Sequence, residues 1–84
     1  MISQKVNQME EKEAAIRFDS GQFKRAIVTP APMTQGEWIL QLERKNKSTA
    51  IISRQRGGAR HFKTIDASYR VALKIGFRTI TVNS

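Results

Sequence analysis

The sequence predicts an α+β domain. The expected architecture is a small, three- to four-stranded, mainly antiparallel sheet packed against one amphipathic helix, with a further helix at the N-terminus. Three observations lead there. Residues 2–17 are rich in Glu, Lys, Gln and Ala, which favour helix. After Asp19-Ser20-Gly21 the apolar residues recur at a period of two. Between Thr64 and Gly76 they recur at three and four, and the period then returns to two. The expected order along the chain is α-β-β-β-α-β.

The first helix is read over residues 2–17, with Ser3 as a cap and a weak stripe of Ile2, Val6, Met9, Ala15 and Ile16. Asp19-Ser20-Gly21 ends it. FKRAIVT, Phe23 to Thr29, reads as a first strand, and the Pro-Ala-Pro run at 30–32 stops it because proline lacks the ladder's donor. EWILQLER, Glu37 to Arg44, is the clearest strand. Trp38, Leu40 and Leu42 point one way, and Ile39, Gln41 and Glu43 the other. Lys45 to Ser48 makes a polar turn, and TAIISR, Thr49 to Arg54, is the hairpin partner.

Gly57-Gly58 ends that strand. Thr64 then caps a second helix, Asp66 suits its positive end, and Lys74 and Gly76 close it. Ile65, Tyr69, Ala72 and Leu73 form its apolar side, broadened by Val71 and Ile75. FRTITV, Phe77 to Val82, returns as a last strand, with Ile80 and Val82 inward. This strand crosses the sheet after the helix, so it can lie parallel to a neighbour.

The chain has 84 residues, enough for one domain. Residues 1–20 read as an N-terminal helix, a mobile or dimerising appendage, and residues 21–84 as the basic body. There is no cysteine, which rules out disulfides and thiolate chemistry. The N-terminus has no apolar h-region and no stretch reaches the length of a membrane span, so a cytoplasmic protein without membrane contact is the default expectation.

Fifteen Lys and Arg face seven Asp and Glu, a formal charge of +8. Residues 1–20 sum to 3 − 4 = −1, and residues 21–84 to 12 − 3 = +9. A body so charged attracts polyanions.

Catalytic chemistry is not visible. The one histidine, His61, cannot make a multi-histidine metal site and has no evident carboxylate to orient it in a triad. Glu37, Glu43 and Asp66 are scattered, and Gly57-Gly58 fits no nucleotide-binding fingerprint. The expectation is a non-enzyme with no cofactor, metal or catalytic residue.

What stands out is RQRGGARHFK, Arg54 to Lys63. Lys45, Lys47, Arg54, Arg56, Arg60, His61, Lys63 and Arg70 are the candidate nucleic-acid contacts. Arginine forks match phosphate oxygens and guanine edges. In an extended chain Arg54 and Arg56 would share a side. The amides near Thr64 and Ile65 open a helix N-terminus that suits phosphate. Phe62 is the candidate for stacking on a base, with a role as hydrophobic staple beside the helix cap as the alternative. Trp38, Tyr69 and Phe77 read as core.

The partner expected is nucleic acid, DNA before RNA. The alternative is a protein-interaction module, an inhibitor or adaptor with an acidic partner. Ile39 and Ile51 point away from the Trp38 face, and a homodimer or the N-terminal helix could cover them.

Overall fold

The computed structural model describes residues 7–83. Its order is β1 (Gln8–Met9), α1 (Glu11–Asp19), β2 (Phe23–Pro30), β3 (Trp38–Arg44), β4 (Thr49–Ile52), α2 (Ile65–Ile75) and β5 (Thr81–Val82). The α+β class stands, but the sheet is mixed and has five strands, in the order β1-β4-β3-β2-β5. The meander of β2, β3 and β4 is antiparallel, as the two turns between them require. The two short edge strands are parallel to their neighbours: Gln8 and Met9 pair with Ile51 and Ile52, and Thr81 and Val82 with Ile27 and Val28. Each edge is reached by a helical crossover, β1-α1-β2 and β4-α2-β5.

The first helix corrects the expectation most. Residues 2–6 lie outside the described residues, but Gln8 and Met9 form a strand, and the helix runs over Glu11–Asp19 instead of ending at 17. Glu10 holds the chain extended at φ −74° and ψ 160° before it starts. The reason is tertiary. Met9 in a strand joins the buried row with Ile52, so pairing at the sheet edge overrides a run of helix-favouring residues. The buried positions of α1 also differ from the stripe expected. Ala14 is fully buried and Phe18 packs on the core, whereas Ile16 is 69% exposed.

Both helices cover one face of the sheet. Val28, Leu40 and Ile52 from the strands meet Ala14 of α1 and Val71, Ala72 and Ile75 of α2 in a single core. Trp38 packs against it, with Leu40 and Leu42 wholly buried, as the period of two requires. The cap of α2 is as expected: Thr64 Oγ1 accepts from the Ala67 amide at 3.0 Å. Its apolar stripe is rotated, however. Leu73 is exposed, and Ser68 takes a fully buried place by donating to the Ile65 carbonyl at 2.6 Å.

The last strand is shorter than the sequence suggests. Only Thr81–Val82 pairs, and Val82 is exposed. Phe77 fills the core, as expected of it, but lies before the paired residues, its ring centroid 4.8 Å from that of Phe18 and 6.1 Å from that of Phe23. Gly76 makes this possible. Its φ is +137°, and a Cβ there would sit 2.4 Å from the Phe18 ring.

The other face of the sheet carries no helix. Its central row reads Gln8, Ile51, Gln41, Ile27 and Thr81 across the five strands. Ile39 is 2% exposed there and Ile27 and Ile51 are half-buried. An Arg25–Glu43 ion pair of 2.8 Å lies beside them.

Candidate nucleic-acid interface

The strand directions place the basic residues at two ends of the sheet. The β3–β4 turn, Lys45 to Ser48, is at the end where both helices finish. The Lys45 amide donates to the Gln22 carbonyl just after α1. The segment Arg54 to Lys63 leaves β4 at the opposite end, where both helices begin. Four residues of strand lie between them, about 13 Å at the usual rise. The structure therefore does not gather Lys45 and Lys47 with the arginines. Arg70 is elsewhere again, exposed on α2 and paired with Asp66 at 3.2 Å.

At the loop end the chain makes a tight hairpin. Arg54 and Gly58 are joined by an amide-to-carbonyl bond of 3.0 Å, and Gly57 donates to the Arg54 carbonyl at 3.1 Å. Gly57 and Gly58 both take positive φ, +87° and +80°, which only glycine adopts cheaply. Arg54 and Arg56 thus sit on a turn and not on an extended strand, so their shared side does not come from strand alternation. Ser53 and Ala59 pair across the hairpin, and Arg60 N donates to Ile52 O at 2.9 Å. From β1, Gln8 Oε1 accepts the Gly58 amide at 3.1 Å. An exposed loop with these bonds is held in one shape. Arg54, Arg56 and Lys63 are exposed on it and have no carboxylate partner among the described residues.

Arg60 and His61 are placed differently. Arg60 Nη1 is 3.4 Å from Glu11 Oε1 on α1, and its guanidinium lies over the Phe62 ring at 5.0 Å. His61 Nδ1 is 2.8 Å from Glu37 Oε1. A carboxylate orienter for His61 therefore exists, supplied from the start of β3, where sequence reading saw none.

Phe62 is 4% exposed and part of the core. Its backbone exchanges two bonds of 2.8 Å with Trp38, which turns the ring inward. In this arrangement the ring has no open face for a base; it supports Arg60. Among the described residues, the large apolar side chains that are exposed, Ile16, Met33, Leu73 and Val82, include no aromatic.

A half-open cleft of about 840 Å³ lies between the hairpin and the first turn of α1. It opens at the carboxyl ends of the parallel pair β1 and β4. Lys12, Arg54 and Arg60 contribute cations to its wall, His61 an imidazole, and Glu10, Glu11 and Glu37 carboxylates. No group of three or more His, Cys, Asp or Glu suited to a metal ion is formed among the described residues. No helix among them is long and apolar enough to cross a membrane.

No protein-family model matches the chain, and no curated protein or solved structure matches it.

Proposed function

We propose that the protein is a small, non-enzymatic nucleic-acid-binding protein that contacts DNA through the hairpin Ser53–Ala59 and the segment leading into α2. One observation carries this reading. All three acids of residues 21–84, Glu37, Glu43 and Asp66, are already paired with His61, Arg25 and Arg70, which leaves Arg54, Arg56 and Lys63 exposed without a carboxylate on a hydrogen-bonded loop. Cations held in a fixed shape lose little freedom on meeting phosphates, and each phosphate neutralised releases a counterion. The absence of an exposed aromatic platform among the described residues favours a duplex backbone over unstacked bases. Contacts of this kind position a protein on DNA without reading its sequence.

The test is a titration of labelled duplex DNA at several salt concentrations. It compares the wild type with the quadruple variant Arg54→Ala, Arg56→Ala, Arg60→Ala, Lys63→Ala and with the pair Lys45→Ala, Lys47→Ala. The quadruple variant is expected to bind more than about ten-fold more weakly, equally for all sequences, with the salt slope reduced by about three. The lysine pair, at the far end of the sheet, is expected to lose less than about three-fold. Wild-type protein that ignores DNA at low salt refutes the function. A quadruple variant that binds like wild type moves the interface away from the hairpin.

A further inference from the structure

We infer that Glu11 and Glu37 are internal competitors of phosphate: they hold Arg60 and His61 in the free protein, and a bound backbone must displace them. This rests on the nucleic-acid reading above and adds a restraint built into the same surface. The geometry supplies the argument. Arg60 is fixed between the Phe62 ring, 5.0 Å away, and Glu11 Oε1, 3.4 Å away. His61 meets Glu37 Oε1 at 2.8 Å. Both pairs border the cleft, next to the exposed Arg54.

A carboxylate and a phosphate offer a guanidinium the same pair of acceptor oxygens, and they repel each other at one cation. Arg60 and His61 therefore cannot serve a phosphate at full strength while Glu11 and Glu37 remain in place. Displacement is within reach, since the four side chains are between 30% and 43% exposed and such pairs are weak. The wall also holds Glu10 and Lys12, whose opposite charges leave the local balance to these two pairs.

The consequence is a surface that engages in two stages. Arg54, Arg56 and Lys63 are available at once. Arg60 and His61 become available only to a polyanion that the first three already hold close, where its phosphates outcompete the carboxylates by their high local concentration. Sparse or badly spaced anions meet the carboxylates first.

The experiment compares Glu11→Gln, Glu37→Gln and their combination with Glu43→Gln. The last makes the same charge change and releases Arg25, but on the sheet face without helices. All are titrated with labelled duplex DNA across a salt series, and each variant's melting curve is recorded beside its binding curve. Each cleft substitution is expected to tighten binding about two- to five-fold, the double variant about ten-fold, with a steeper salt slope. Glu43→Gln is expected to change affinity less than about two-fold. Cleft variants that bind no tighter than Glu43→Gln, or more weakly than wild type, overturn the inference. Absence of wild-type binding is a separate result and refutes the nucleic-acid reading itself. Should Glu11→Gln lower the melting temperature, Glu37→Gln, whose side chain pairs with His61 outside both helices, still decides the matter.

Discussion

The two ends of the sheet are built on opposite terms. Where the helices finish, three phenylalanines, Phe18, Phe23 and Phe77, close the core, and Gly76 has no Cβ because the Phe18 ring occupies that space. Where the helices begin, Trp38 and Phe62 still pack on the core, but the hairpin beyond them is polar, turns on two glycines and is tied by a hydrogen bond to β1 and an ion pair to α1. The first end depends on packing, which tolerates little change of shape. The second depends on placing exposed charge, which can be removed without leaving a hole. Stability and binding are thus expected to separate along the long direction of the strands.

The sharpest way to break the contrast is Phe77→Ala. It removes the ring that meets both Phe18 and Phe23, and a loss of about 3–5 kcal/mol is expected. The whole stability of a chain this size is about 4–13 kcal/mol, so a thermal melt should fall by 15 °C or more, or lose its cooperative transition. A melt within a few degrees of wild type would mean that the aromatic end is not the anchor.

An intermediate effect is expected at the other end, where Thr64→Ala deletes the bond to the Ala67 amide. The expected cost is about 1 kcal/mol, a shift of about 4–8 °C, and Thr64→Ser should restore most of it. Equal melts for the Ala and Ser variants would remove the cap from the account. The smallest effect belongs to the three exposed cations without a carboxylate partner, Arg54→Ala, Arg56→Ala and Lys63→Ala, whose melt should stay within about 0.5 kcal/mol of wild type while DNA binding weakens.

These two ends were unequally legible in the sequence. The bounds of the second helix could be read, because its cap and its terminating glycine are local signals, but its buried side could not, since Ser68 takes a core place and Leu73 is exposed. The central hairpin could also be read, since a strand with one buried face writes its period directly into EWILQLER. β1 could not. Two residues carry no period, and what makes Gln8 and Met9 a strand is a partner more than forty residues away. The same limit applied to the site. The excess of positive charge is a matter of counting, but its convergence is not. The ion pair of Arg60 with Glu11 and the contact of His61 with Glu37 join distant parts of the chain, so a loop that looked free of acids borrows two of them. The sequence left Phe62 open between stacking and packing for the same reason, since its inward place is set by pairing with Trp38 and not by its charged neighbours. Lys45 and Lys47 seemed close to the arginines along the chain, yet an intervening strand points the two groups in opposite directions.

The two parallel edges bear on the order in which the protein assembles. The antiparallel meander joins neighbours in the chain, whereas β1 must close onto Ile51 and Ile52, and β5 onto Ile27 and Val28, over more than half the molecule. Such closures give back little until the long segment between them is ordered, so the edges are expected to be the last strands to attach and the first to open. Edge opening would have a direct effect on the hairpin, because β1 supplies the Gln8 acceptor for Gly58 and leads straight into Glu11. In amide exchange, the Ile51 and Ser53 amides, which donate to Asn7 and Met9, should exchange well before the amides that join β2 and β3. Equal protection of both sets would mean that edge and centre open together. If they separate, the surface proposed to meet DNA is fastened to the part of the sheet that lets go most readily, and a bound duplex would act as a clasp on a strand that never touches it.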